Sequence, residues 1–475
     1  MNKDWVFSIR RQTDFRTSIL YYLLTNGVSL MANITPFRGI VYNPEKISDL
    51  ADVTAPPYDV ISPQEQEYFH KQHPQNIIRL VLGKKTEQDT AENSFFTRAA
   101  AFWKQWRAEK ILIQDREPAL YITSIAFDLE SRHIIRFGLI VTVGLEPFEK
   151  KIILPHERTF SKVKTERLEL MKNCHANFCS IFSLYSDPEN AILPLMLEAI
   201  ADKAPDTDFT DTAGHRQKMW RVTDKQVIHN ITDQMGDKKL FIADGHHRYE
   251  TALNFREWLK SQNPGFDQNH PANYIMMYLA SMQDPGMVIL PAHRMLKAID
   301  AETMQGFVSK AEKYFHIRTL PFAGEKGKAE TLTDFSSALA AGASGHTIGL
   351  FMKNRSELFL LNLKKGVMAD LFPQELPEAL RNLDVTVLTR LIFMEILGFD
   401  QQRLDNHDLI GYSTAVSNAV EGVLSGEYDM TFILNSTRIE QVREVAEQGL
   451  IMPRKSTYFY PKVITGQVMN SLRQS

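Results

Sequence analysis

Residues 240–252 read LFIADGHHRYETA. Four apolar residues are followed by Asp244, Gly245, His246, His247 and Arg248, and a helix-like run opens at Tyr249. This order spells a strand, a tight polar turn and a helix N-terminus. The first N–H groups of a helix have no intrahelical acceptor and sit at the positive end of its dipole, so they attract anions. Gly245 carries no Cβ to hold a phosphate away from the backbone. His246, His247 and Arg248 add donors, and a guanidinium grips phosphate with two bonds. Asp244 stands where it could hold a metal or orient a hydroxyl. The plainer alternative is a turn with a satisfied Asp and two surface histidines. The segment is neither a Walker loop nor a GxGxxG dinucleotide turn.

Other polar groups stand at places where a plain core would not need them. Asp59 follows Pro56, Pro57 and Tyr58 in a stiff loop that either lines a pocket or turns on the surface. Ile77–Leu82 reads as a short strand, and Asn76 and Arg79 flank its start; Asn76 could equally cap the turn. In LPHERTF (154–160) Glu157 is a candidate general base, with Arg158 and Lys162 near enough in sequence to neutralise phosphoryl oxygens. The alternative there is a cluster of ion pairs at a helix start. LPAHR (290–294) presents His293 and Arg294 after another apolar run. Ligands of α/β folds sit at carboxyl ends of strands. Three such ends bearing His with Arg (156–158, 246–248, 293–294) therefore suggest one anionic pocket. Lys455 lies in MPRKSTYFYPK, which either closes over an anion or packs as a tail strand.

The elements that must carry these groups alternate along the chain. A hairpin is expected from Ala119–Asp128 and His133–Gly144 around Glu130-Ser131. Residues 89–110 form a helix with Phe95, Ala99, Trp103 and Trp106 at core spacing. A helix is expected over 384–397, and the Ala/Gly-rich stretch 321–346 reads as loosely packed. Strands and helices interleave throughout, so the class is α/β or α+β with mixed sheets. With 475 residues and 44% hydrophobic content the chain can build two or three domains. We expect an extension over 1–30, a catalytic α/β core with the DGHHR turn over 31–310, and a C-terminal α/β region over 311–475. A net charge of −3 supplies no general nucleic-acid face. The two cysteines, Cys174 and Cys179, fit packed thiols in a reducing cytoplasm. No apolar window is long enough to span a membrane. The sequence sets no oligomeric state.

Taken together, ITPFRGIVY, APPYDVIS, PQNIIRLVLG, LPHERTF, FIADGHHRYETAL, LPAHRML, LDVTVL and MPRKSTYFYPK resemble the domain-of-unknown-function family 1015 from residue 31 to about 465. ADGHHRYETA is also similar to the phosphate-binding turn of the ParB/sulfiredoxin-like fold, some of whose members phosphorylate free serine. That resemblance covers about a dozen residues. It implies a nucleotide-binding core in which Gly245, His246, His247 and Arg248 hold phosphates and Asp244 meets Mg²⁺. His246 stands where sulfiredoxins carry their Cys, which argues against sulfinic-acid repair. The expectation is an ATP- or ADP-dependent kinase of a small hydroxyl compound, free L-serine first, with Glu157 as base. The rivals are a nucleotide-binding regulator of ParB-like type and a metal-dependent phosphohydrolase.

Overall fold

The computed structural model describes residues 31–474 apart from 160, 323 and 407, and only the backbone of 162 and 324–326. The expected extension over 1–30 and the Lys162 side chain lie outside the described residues. The chain divides into two units. Unit 1 comprises the chain up to Leu154, Lys162–Asp284 and the residues from Val463 on; unit 2 comprises Pro155–Ser161 and Pro285–Lys462. The main passage falls at Asp284–Pro285, ahead of the expected 310, and the last residues return to unit 1.

Unit 1 is mixed α/β. Its strands in chain order are β1 (Ile34–Thr35), β2 (Ile40–Tyr42), β3 (Leu112–Gln114), β4 (Leu120–Leu129), β5 (Arg132–Gly144), β6 (Ile153–Leu154), β7 (Ala176–Asn177), β8 (Ile181–Tyr185), β9 (Thr207–Thr210), β10 (Arg216–Val222), β11 (Leu240–Asp244) and β12 (Tyr274–Ser281). Its helices are α1 (Pro63–Gln72), α2 (Ile78–Val81), α3 (Phe95–Ala108), α4 (Ser161–Cys174), α5 (Ile192–Ile200), α6 (Lys225–Met235) and α7 (His246–Gln262). One sheet runs β6-β11-β8-β12-β5-β4-β10-β9, with β1 paired to β5. The long hairpin forms as the sequence predicts. Leu129 pairs with Arg132, and Glu130 takes a positive φ of 55° in the turn.

Helix α7 lays Tyr249, Ala252, Phe255 and Leu259 into a core with Ile242, Leu279 and Val141 from the sheet. A second core packs α2 and α3, through Ile78, Leu80, Ala99, Trp103 and Trp106, against Ile40, Leu170 and Met469. The aromatic stripe of α3 is thus core. Residues 77–82 do not form the expected strand but the short helix α2. Asn76 explains the difference. Its Oδ1 accepts the N–H of Ile78 (2.9 Å), and its Nδ2 donates to Asp52 O (2.8 Å) and Thr54 O (3.1 Å). A side chain that captures a local N–H in this way starts a turn rather than a ladder.

Unit 2 holds β13 (Val288–Leu290), β14 (His293–Leu296), β15 (Phe315–Pro321), β16 (Thr347–Met352), β17 (Glu357–Leu363), β18 (Ile410–Ser413), β19 (Met430–Ile433) and β20 (Tyr458–Tyr460). Six of them form a sheet in the order β15-β17-β16-β19-β14-β18, and β13 pairs with β20. The stretch 321–346 is not loose. It contains the helix Gly324–Ala341, whose Leu332, Phe335 and Leu339 are buried against Phe351, Leu358 and Ile433. Its alanines favour a helix, and its glycines fall mostly near the two ends. The other face of the sheet is covered where Phe432 meets Phe307 (5.7 Å) and Phe393 (5.5 Å). Phe393 lies in a π-helical run, Val387–Ile396, within the helix expected at 384–397. The final strand β21 (Asn470–Ser471) pairs with β7 of unit 1.

Candidate functional site

The DGHHR turn sits at the end of β11. Between Ile242 and Asp244 the register against β8 slips, so Asp244 pairs with Phe182 and Ala243 is skipped. Such a bulge re-aims the residue that follows it. Gly245 then takes φ 100° and ψ 27°, a left-handed conformation, and caps α7 without any side-chain hydrogen bond. The first intrahelical bond runs from Tyr249 N to Gly245 O (3.0 Å). The N-cap residue itself thus offers no side-chain acceptor to the first amides of α7.

The side chains of the turn are arranged less simply. The Arg248 guanidinium folds beneath it. Nη2 donates to Asp244 Oδ2 at 2.8 Å, and Nη1 donates to the Ser180 carbonyl. A Cβ on residue 245 would lie 2.9 Å from Arg248 Nε, so the glycine makes room for this guanidinium. Burial by itself would lower the Arg248 pKa. Asp244 and Asp59 outweigh it and hold the pKa above its ordinary value, so the cation is permanent. His246 is buried at the first helical position, and His247 is half-buried. Burial pushes the His247 pKa below its usual value, with Lys164 and Arg248 helping and Asp59 and Glu250 opposing. His247 is therefore a neutral imidazole at pH 7, able to donate from one nitrogen and accept at the other.

Several residues around the turn carry no local signal in the sequence, because distant segments bring them in. Arg167 on α4 lays its guanidinium 4.1 Å from the Tyr58 ring centre and donates to Val81 O (2.7 Å). Burial, aided by Asp59, raises the Tyr58 phenol to about 12, so it stays protonated. Thr465 Oγ1 bonds Cys179 Sγ (3.3 Å), next to the Ser180 carbonyl that Arg248 uses. Lys164 pairs with Glu250 at 2.5 Å. Both cysteines are free thiols.

Asn76 and Arg79 do not join this group as ligands. Asn76 is fully buried and committed to the loop bonds described above. Arg79 is bonded to Pro74 O (2.8 Å), His70 O (2.7 Å) and His70 Nδ1 (2.5 Å).

In unit 2, His156 is buried. Its Nε2 lies 3.2 Å from Thr457 Oγ1, and its carbonyl accepts from Met452 N (2.9 Å). Glu157 is half-buried and Arg158 exposed. His293 and Arg294 do not converge on a strand end as expected. They are consecutive residues inside β14, and consecutive strand residues face opposite sides of a sheet. Arg294 pairs across β14 with Tyr412 and Phe432, its guanidinium lying 5.6 Å from the Tyr412 ring centre. It donates to the carbonyls of Ala292, Arg454 (3.0 Å) and Lys455 (2.9 Å). Burial brings its pKa down to about 10, so it remains a cation at neutral pH. His293 accepts the Leu434 N–H at Nδ1 (3.2 Å), which places its proton on Nε2. Burial first, then Arg294, lowers its pKa to about 4. Arg294 is thus a clamp on the turn that carries the exposed Lys455, whose φ is 55°.

Among the described residues no group of three or more His, Cys, Asp or Glu side chains gathers into a metal cage. No helix among them is long and apolar enough to cross a membrane.

The chain belongs to the DUF1015 family, described as a protein family of unknown function, whose profile matches residues 34–386. No curated protein matches it. Among solved structures it is similar to a conserved hypothetical protein from Pyrococcus furiosus, at 14% identity and a TM-score of 0.33, over 70% of this chain and 95% of that one. It is similar to a free serine kinase variant in complex with AMP, at 13% identity and a TM-score of 0.32, over 67% of this chain and 87% of that one. SbnI with a C-terminal truncation, from Staphylococcus aureus, is 9% identical with a TM-score of 0.33, over 71% of this chain and 90% of that one.

Proposed function

We propose that this DUF1015 member transfers a phosphoryl group from ATP or ADP, with Mg²⁺, to the hydroxyl of a small metabolite in the cytoplasm. The observation that carries the reading is the α7 N-terminus. It has a left-handed glycine cap with no side-chain cap, a neutral half-buried His247 beside it, and a permanent guanidinium fixed underneath. Phosphoryl transfer asks a protein mainly for positioning and for charge placed against the transferring oxygens. In this reading the amides from Gly245 to Arg248 and the His247 imidazole bind phosphate oxygens. Arg248 supplies charge from below and locks Asp244. Asp59 and Asp244 are the nearby carboxylates that could meet Mg²⁺, which would neutralise phosphate charge. Glu157, three residues beyond Leu154, is the general base that takes the acceptor hydroxyl proton.

The acceptor to try first is L-serine, from the likeness of the turn to that of serine-phosphorylating proteins. Purified protein is incubated with Mg²⁺ and ATP or ADP and a pool of hydroxyl metabolites, and the products are read by mass spectrometry. A compound that gains a phosphoryl group with the wild type, and at least about a hundredfold more slowly with His247→Ala, supports the reading. Tight nucleotide binding without any transfer would replace it with a regulatory role. Release of phosphate without an acceptor would make the protein a hydrolase.

A further inference from the structure

We infer that Asp59, and not Asp244, is the carboxylate that meets the divalent cation of the bound nucleotide, an inference that rests on the nucleotide reading above. Mg²⁺ in nucleotide sites keeps several waters and is held by one or two carboxylates together with phosphate oxygens. It therefore needs a carboxylate oxygen close to the phosphates and not already engaged. Asp244 is placed near enough but is engaged. Its Oδ2 receives Arg248 Nη2 at 2.8 Å, in a pair whose side chains are only 16% and 11% exposed. A cation there would have to break a shielded ion pair and sit against a guanidinium.

Asp59 is differently placed. It is exposed, and its carboxylate takes part in no hydrogen bond or ion pair with any described residue. Its loop is nonetheless fixed. Ala55 is bridged to Thr465, whose hydroxyl bonds Cys179. Pro56 and Pro57 stiffen the next step, and Tyr58 is held under the Arg167 guanidinium. The Cys179–Ser180 segment also receives Arg248, so the same contacts tie the Asp59 loop to the DGHHR turn. The Asp59 charge is felt by His247, Arg248 and Tyr58 alike. A cation between this carboxylate and phosphates on α7 would add charge where the cations Arg248 and Arg167 already lie, and the Asp59 carboxylate offsets it.

The test uses the full-length protein and nucleotide binding rather than turnover. Calorimetric titration with ADP and with ATP, each with and without Mg²⁺, gives the ratio of the two affinities. Mn²⁺ paramagnetic resonance reports the cation directly. In the wild type the ratio should be about tenfold or more; in Asp59→Asn it should fall to within about twofold of unity, with loss of the protein-bound Mn²⁺ signal. Asp244→Asn should keep a ratio of about tenfold even if its overall affinity falls. Asp59→Asn protein that retains the ratio, or a wild type that binds nucleotide with no help from Mg²⁺, would overturn the inference and leave the nucleotide reading standing. A wild type that binds no nucleotide would overturn both. Thermal unfolding establishes that each variant is folded.

Discussion

Two histidine–arginine pairs, His247–Arg248 and His293–Arg294, look alike in the sequence and are handled in opposite ways. The first follows a bulge and a left-handed glycine, at the start of a helix. There a half-buried imidazole stands beside helix amides, and the arginine is held by a carboxylate and a carbonyl. The second lies within a strand, where alternation sends the two side chains to opposite faces. There the imidazole is buried and the arginine bonds three main-chain carbonyls. The doublet is therefore not the signal. The signal is the glycine before it, together with the change from strand to helix that the glycine permits.

The sharpest way to break this contrast is Arg294→Met. Three carbonyls would lose their donor, one buried (Ala292) and two part-buried (Arg454, Lys455), at about 1–3 kcal/mol for each one left unsatisfied, so unit 2 should lose about 3 kcal/mol once some rehydrate. Hydrogen exchange of peptides covering 288–296 and 452–458 would read the loss. The tryptophans among the described residues (103, 106, 220 and 258) all lie in unit 1, so their fluorescence does not monitor this change. Nucleotide affinity should stay within about twofold, since Arg294 serves the fold. A protein of normal stability that lost nucleotide would erase the distinction drawn between the two arginines.

Acid should act on the buried histidine of the second pair. The folded pKa of His293 is about 4, below the ordinary value of about 6.5 expected in the unfolded chain. Between those values the unfolded chain binds a proton that the folded one refuses. Stability is therefore full above about pH 6.5 and falls as pH drops toward 4. At pH 4.5 the loss should be about 2–3 kcal/mol. Urea unfolding at pH 7 and pH 4.5, for wild type and His293→Gln, isolates it by difference. Equal losses in the two proteins would show that this imidazole is not the one refusing a proton.

The smallest effect on stability, but the most informative about the site, belongs to Gly245→Ala. The left-handed φ and the collision with Arg248 should cost about 1–2 kcal/mol of folding free energy. Calorimetry should show nucleotide affinity reduced about tenfold, because the amides and the guanidinium are displaced together. Unchanged affinity would mean that the turn is only structural.

Much of this was legible in the residues. The strand–turn–helix at 240–262, the hairpin around Glu130 and the core stripe of α3 follow from period and turn chemistry that act over a few residues. The departure from a strand at 77–82 turns on a single amide side chain, Asn76, that reaches back more than twenty residues. Arg167, Cys179, Ser180 and Thr465 were invisible as neighbours of the turn because folding, not spacing, brings them there. The surroundings of Arg294 are hidden for a related reason. Two of its three partners lie 160 and 161 residues away, and all three are carbonyls, which leave no mark on the sequence.

The return of residues 463–472 to unit 1 sets an order of events during synthesis. Thr465 bridges Ala55, Met469 bridges Ile40, Asn470 and Ser471 pair with β7, and Leu472 is buried in the same body as the first strand. The ribosome makes nearly all of unit 1 first, yet its seams at Ile40, Ala55 and β7 stay open until these residues emerge, after unit 2 has been made. Until then the backbone partners of Thr465, Met469 and β21, at Ala55, Ile40 and β7, are unmet. The DGHHR turn is tied to this closure, because Thr465 bonds Cys179, the residue before the Ser180 carbonyl that receives Arg248.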